Sequence, residues 1–181
     1  CLGRFGRQGA VNLPCFCPAR CRFSMHTCNT PQTCLPLYPN VQIINKMVYL
    51  TRRERFNAAH KLYNPNWSAL QNDAVFGKCA NTNWHGHNYE LFVTVKGEPD
   101  PDTGFIINVK ELSDIIKEHV IEHLDHRNLN LDVPFLQGMF TSTENVAKAI
   151  WQQLVPHLKG CTLHCIKLVE TENIYVEYFG D

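Results

Sequence analysis

No charge of either sign dominates this chain: lysine plus arginine and aspartate plus glutamate each total 17 over 181 residues. That balance gives no electrostatic reason to expect nucleic acid or an acidic membrane as a partner. No apolar run approaches the roughly 18 residues that a membrane-spanning helix needs, which excludes such a helix. There is no G-x-G-x-x-G loop, so a nicotinamide dinucleotide is not expected, and no H-E-x-x-H, so a zinc hydrolase of that pattern is not expected either. What is present, 44% hydrophobic and 19% charged residues, is the composition of one globular core rather than a disordered polypeptide.

The even balance hides an asymmetry. Residues 1–46 contain Arg4, Arg7, Arg20, Arg22 and Lys46 but no acidic residue, so the remainder holds 12 basic and 17 acidic residues. The same segment has six of the nine cysteines and five of the ten prolines, no apolar period, and Cys1 rather than methionine at its start. Its run of Cys15, Cys17, Cys21, Cys28 and Cys34 shows no paired C-x2-C spacing, which argues against a zinc or disulfide module. An acid-poor, arginine-bearing leader would suit mitochondrial targeting. The preferred reading is a disordered or non-native extension ahead of a domain that opens at Met47. Within residues 47–181 only Cys79, Cys161 and Cys165 remain, a sparse set that suits a reducing, cytoplasmic compartment.

The domain reads as ββ-α-α-ββ, an α+β arrangement. Residues 48–60 partly alternate apolar and polar, and 88–96 do so again, as half-buried strands should. Residues 61–84, rich in Asn with Pro65, Trp67 and Trp84, read as a long functional loop, and 105–109 as a continuation of the sheet. Val109, Leu112, Ile115, Ile116 and Val120 mark a helix over about 109–123. Thr141 to Glu144 forms a capping-box pattern before a second helix carrying Val146, Ile150, Trp151 and Leu154, which Gly160 ends. Residues 162–170 and 173–179 read as closing strands around Thr171-Glu172. No internal repeat or low-complexity run is visible in this part.

The chemistry concentrates in Phe76 to Tyr89, FGKCANTNWHGHNY. His85 and His87 are two apart at the start of a strand, so they project to one face, with Gly86 between them allowing close approach. An H-G-H pair also arises as two surface histidines, but His60 closes the neighbouring strand and is placed to be a third ligand. Three neutral imidazoles suit zinc with a fourth position left open, the catalytic rather than the structural pattern. Cys79 sits in the same loop beside Lys78, and cationic neighbours favour a thiolate; its plainer reading is a small buried hydrophobe. Asp125 and His126 offer a carboxylate and an imidazole at a helix end, as a proton relay or merely a cap and a surface charge. Glu170 ends an apolar strand and is either functional or exposed at an edge. Cys161 and Cys165 read as packing rather than as a metal pair.

Five segments together, FNAAH (56–60), FGKCANTNWHGHNY (76–89), LDHRNLN (124–130), STENVA (142–147) and VETEN (169–173), resemble the 6-pyruvoyl-tetrahydropterin synthase family in order and spacing. The resemblance covers residues 48 to 181. It implies a tunnelling fold: a four-stranded antiparallel sheet with two helices on one face, three subunits closing a barrel, and two trimers stacked as a homohexamer with sites at subunit interfaces. It implies zinc held by His60, His85 and His87, Cys79 as the proton acceptor with Asp125 and His126 as relay, and Glu170 as the anchor of the pterin. Ser142, Thr143 and Glu144 fall in the segment that lines the pterin pocket. The implied reaction turns 7,8-dihydroneopterin triphosphate into 6-pyruvoyl-tetrahydropterin with elimination of triphosphate, within tetrahydrobiopterin biosynthesis. Lys78 and Arg127 are candidates for holding the triphosphate.

Two features depart from the family pattern. Trp84 stands where the family usually has a small residue, which would shift the ligand loop or narrow the pocket, and residues 1–46 have no counterpart in the usual short N-terminus. Two rival readings remain. The bacterial-type 6-carboxytetrahydropterin synthase has similar zinc ligands and fold but spaces its cysteine three residues before H-G-H, where five separate Cys79 from His85 here. A non-catalytic pterin- or zinc-binding relative would not need Cys79, Asp125, His126 and Glu170.

Overall fold

The computed structural model describes residues 47–181; the expectations for the cysteine-rich extension lie outside the described residues. Two 13-residue strands, β1 (Val48–His60) and β2 (His85–Gly97), pair antiparallel along their whole length. Between them runs a short helix, α1 (Ala69–Phe76), which leads into a 3-10 turn over Gly77–Ala80. Helix α2 (Val109–Ile116) continues through a π-helical turn, Lys117–Ile121, into α3 (Glu122–Leu124). The two-residue β3 (Arg127–Asn128), helix α4 (Thr143–Leu154), β4 (Thr162–Thr171) and β5 (Ile174–Tyr178) complete the domain. The strand order is β3-β1-β2-β4-β5. No described helix is long and apolar enough to cross a membrane.

Strand alternation assigns one face of this sheet to the core. Phe56, Ala58 and His60 of β1 and Tyr89, Leu91, Val93 and Val95 of β2 are buried. Leu112, Ile116, Val120 and Leu124 from α2 and its continuation meet them, as do Val146, Ile150 and Leu154 from α4. Each such fully buried aliphatic residue contributes about 1.5–3 kcal/mol, so this single layer of helix on sheet carries the domain. The opposite face is polar: Arg53 and Arg55 pair with Glu90, Lys167 with Glu177, and the hydroxyls of Thr51 and Thr94 meet at 2.8 Å. Among the described residues, no strand pairs the outer edge of β1 beyond the short β3 pairing at Ala58 and Ala59, and none pairs the outer edge of β5.

Several expectations need correction. The sheet is mixed and five-stranded, because β3 joins β1 in parallel beside the four antiparallel strands. Residues 61–84 are not one loop. Helix α1 was invisible to periodicity because it has no apolar stripe, with Leu70 and Val75 both exposed. Residues 105–108 do not extend the sheet; they bend back so that Ile107 enters the core and Ile106 packs so close to Gly97 that a Cβ there would lie 2.7 Å from it. Helix α4 begins after Ser142 without a capping bond from that hydroxyl, and the Thr141 hydroxyl just before it is spent on Asn130 and the Lys61 carbonyl. A capping box does form, but at Ser68 and Gln71 of α1. The α4 segment ends at Leu154, followed by a 3-10 turn over Val155–His157, and Gly160 lies beyond both. The last turn is Glu172-Asn173, one residue later than expected.

Candidate active site

The β1–β2 register sets His60 opposite His85, Ala58 opposite His87 and Phe56 opposite Tyr89. All three histidines therefore stand on the helix-covered face, at the end of the two central strands. Gly86 is needed there, since a Cβ would lie 3.0 Å from the Ala58 carbonyl oxygen. One nitrogen from each imidazole falls within 4.8 Å of the others. His60 is 2% exposed, and its Nδ1–H donates to the Thr141 carbonyl at 2.8 Å, which leaves Nε2 as a bare lone pair. His60 Nε2 and both ring nitrogens of His85 are buried without a hydrogen-bond partner among the described residues.

Glu170, near the end of β4, adds the decisive electrostatic feature. Its carboxylate lies 3.5 Å from His60 Nε2 and 3.8 Å from His87 Nε2. With His60 Nδ1 already donating, that contact sets acceptor against acceptor, which is favourable only when something positive lies between them. A proton is a poor candidate: burial, foremost, pushes the pKa of all three imidazoles down, and Glu170 only partly restores them. Three neutral imidazoles facing a carboxylate are the donor set that could hold a divalent metal, and they fit one. Tyr89 continues the same face, and burial, then the Glu170 charge, holds its phenol neutral.

The other expected residues are placed differently. Cys79 lies on the 3-10 turn, half-buried, and its carbonyl accepts the Leu62 N–H at 2.9 Å, which ties the turn to the backbone just after His60. It is not part of the 4.8 Å histidine group. Asp125 and His126 form a pair, His126 Nδ1 to Asp125 Oδ2 at 2.9 Å, beside β1. Asp125 Oδ1 accepts the Asn57 N–H at 2.8 Å, and His126 N–H donates to the Asn57 carbonyl at 2.6 Å. The Asn57 amide, then His126, hold the Asp125 carboxyl below its usual range. His126 is 77% exposed and has φ 58°. It borders a cleft of about 490 Å³ together with Asn57, Gly86, His87, Asn88 and Arg127, so His126 shares a cleft with one of the three histidines.

Ser142 and Thr143 open α4, Thr143 buried and Glu144 exposed in its first turn. Thr141, just before them, was missed by sequence reasoning and fixes the His60 ring. Its signal was weak, because a backbone carbonyl carries no residue signature. Tyr89 was also missed, although the odd-numbered run His85, His87, Tyr89 on one face could have revealed it. Trp84 enters β2 with φ 66°. Its ring lies 4.9 Å from the Lys61 ammonium. Trp84 and His126 are the two non-glycine residues with positive φ among the described residues, and each directly precedes a strand at the site.

A sequence model described as 6-pyruvoyl tetrahydropterin synthase matches residues 49–181, the stretch that carries every one of these side groups. The chain belongs to the 6-pyruvoyl tetrahydropterin synthase family. It is 46% identical over 138 residues to the 6-pyruvoyl tetrahydrobiopterin synthase of Dictyostelium discoideum, covering 76% of this chain and 100% of that protein. The enzyme of the same name from Homo sapiens is 43% identical over 132 residues, covering 73% and 91%. The solved 6-pyruvoyl tetrahydropterin synthase of Caenorhabditis elegans superposes with a TM-score of 0.71 at 34% identity, covering 75% of this chain and 97% of its own. A pterin synthase of tetrahydrobiopterin synthesis is thus the class to which the domain belongs.

Proposed function

We propose that this protein converts 7,8-dihydroneopterin triphosphate to 6-pyruvoyl-tetrahydropterin with elimination of triphosphate, using zinc held by His60, His85 and His87. The observation that carries the reading is the group of three imidazoles in a member of this family, with nitrogens of His60 and His85 buried without a partner among the described residues and with His60 and His87 facing Glu170. When bound, the zinc supplies Lewis-acid polarisation of the hydroxyls on the pterin substrate's tail.

The protein's own residues do the rest. Thr141 fixes the His60 tautomer so that Nε2 points inward as a ligand. Glu170 accepts from the amide and amine N–H groups of the pterin as a bidentate acceptor. Ser142, Thr143 and Glu144, at the head of α4, line the pterin's side of the pocket. Cys79 as thiolate takes a C–H proton from the substrate's tail, His126 relays or returns it, and Asp125 holds the imidazole in one tautomer.

Cys79 is absent from the histidine group and His126 is largely exposed, which fits a site completed by a neighbouring subunit. The edges of β1 and β5 left unpaired among the described residues fit closure of three subunits into a barrel, which would pair them. We therefore propose a homohexamer of two stacked trimers, located in the cytoplasm in keeping with three cysteines of the domain that form no disulfide among the described residues. Incubation of the purified protein with 7,8-dihydroneopterin triphosphate, with and without a chelator, tests the reading by mass spectrometry of the product. Activity untouched by complete metal removal would defeat it, and a carboxy product would assign the rival chemistry.

A further inference from the structure

Where β1 ends, directly after His60, the backbone of Lys61 is held from both sides. Its N–H donates to Asn130 Oδ1 and its carbonyl accepts from Asn130 Nδ2, both at 3.1 Å, while the Thr141 hydroxyl donates to the same carbonyl at 3.4 Å. The Lys61 ammonium lies 5.0 Å from the centre of the Tyr63 ring and 4.9 Å from that of Trp84. Two aromatic faces hold a cation through their quadrupoles without cancelling its charge. Among the described residues Lys61 enters no ion pair. It lines a cavity of about 410 Å³ with Tyr63, Asp73, Gly77, Asn81 and Thr82. The Asn72 amide on the same wall is fully used by Asn64, Trp67 and Ser68, but no described hydrogen bond occupies the side groups of Asn81 and Thr82. The 3-10 turn that borders the cavity, Gly77–Ala80, carries Lys78 and Cys79.

From this arrangement we infer that the cavity lined by Lys61, the residue after His60, is an anion subsite for a polyphosphate, with Lys61 as its principal contact and Tyr63 and Trp84 as its positioning residues. A lysine acts on phosphate as a compact point charge, and the neutral donors of Asn81 and Thr82 spread along the lining suit a string of several phosphoryl oxygens. The volume is within the range of small-molecule sites. Trp84 gains a reason: its left-handed backbone starts β2 at His85 while its indole serves Lys61. Asp73 is the carboxylate on this lining and opposes a polyanion, which makes it a useful lever. The inference rests on the proposed reaction for its natural ligand, the triphosphate tail of the substrate or the triphosphate set free.

The experiment titrates the metal-loaded, full-length protein with inorganic tripolyphosphate by calorimetry. Lys61→Met is expected to weaken binding at least about tenfold with metal content unchanged, the loss of one charge-assisted contact. Lys61→Arg should retain most of the affinity, Trp84→Gly should lose about threefold through the missing ring, and Asp73→Asn should tighten binding. Wild-type affinity in Lys61→Met with its metal retained overturns the subsite. If Lys61→Met loses its metal, the other variants decide, and unchanged affinity in both Trp84→Gly and Asp73→Asn overturns it as well. A raised KM for the pterin triphosphate with kcat preserved ties the subsite to the substrate's tail; an unchanged KM with weakened tripolyphosphate binding ties it to the free anion. Tripolyphosphate binding by a wild-type protein that does not turn over the pterin leaves the subsite standing and sinks the proposed reaction instead.

Discussion

His60, His85 and His87 are set by strand register, by burial under the helices and by the Thr141 carbonyl, whereas Asp125 and His126 hang from the edge of the sheet through the Asn57 backbone. The first group is pre-organised to the point of leaving ring nitrogens buried without a partner among the described residues. The second is in contact with solvent, and its imidazole is the more exposed member. The proposed metal ligation needs rigid, dry, neutral donors, and one chain supplies them from its own core. Proton transfer needs a group that reaches the substrate, and an edge residue can do that only across a cleft or an interface.

The comparison breaks most severely at a ligand. His85→Ala is expected to empty the metal site and lower turnover by more than about a hundredfold, beyond what loss of a mere supporting residue causes. Metal analysis of the purified variant checks it, and full metal occupancy would remove His85 from the ligand set. Cys79→Ala should separate the two groups: metal content stays at the wild-type level while turnover falls by about 10²–10⁴-fold, the range for a lost general base. Undiminished turnover would end the role assigned to that thiol.

A mixing experiment sharpens the question of whether the Asp125–His126 pair and Cys79 act within one subunit. Cys79→Ala and His126→Ala proteins, each inactive alone, are unfolded together and reassembled in equal amounts. If every site draws Cys79 and His126 from different subunits, random assembly should restore about a quarter of wild-type activity. Recovery of none would place both residues in the same subunit.

Smaller effects lie on either side. Tyr89→Phe removes the phenol hydroxyl that feels the Glu170 charge and should raise KM for the pterin by about fivefold with metal retained, about 1 kcal/mol for one lost polar contact. Glu54, away from both groups, serves as a control on the fold. Burial works against its charge, but hydrogen bonds from Ser113 and Arg52, with the charges of Arg52 and Lys117, outweigh it and hold its carboxyl below the usual range. Its stabilisation is therefore complete above the unfolded carboxylate value and is lost as pH falls through the folded one. Glu54→Gln should cost about 1 kcal/mol near neutral pH in denaturant melts, with the difference from wild type vanishing in acid and turnover per folded molecule unchanged.

Much of this was legible before any coordinates. The spacing of His85 and His87 announced a shared face, and Leu112, Ile116 and Val120 announced a helix, because both signals are local periodicities that packing then obeys. Helix α1 was not legible, because its capping box at Ser68 was the sole local signal and no apolar stripe supported it. The two-residue β3 is too short to have a period and exists because β1 offers it an edge. Thr141 was missed for a related reason, since it acts through a carbonyl that any residue possesses.

Sequence by itself determined the donor chemistry: which imidazoles, thiol and carboxylates exist, and that His85 and His87 must share a face. Only the tertiary structure decided that the Glu170 carboxylate stands against the His60 lone pair, that Thr141 commits the other ring nitrogen, and that Lys61 rests between Tyr63 and Trp84. The first two pairings join residues far apart in sequence, and the third depends on the direction in which a loop turns after its strand ends. Local propensity has no means of specifying such partners; the packing of helices on one face of a single sheet does.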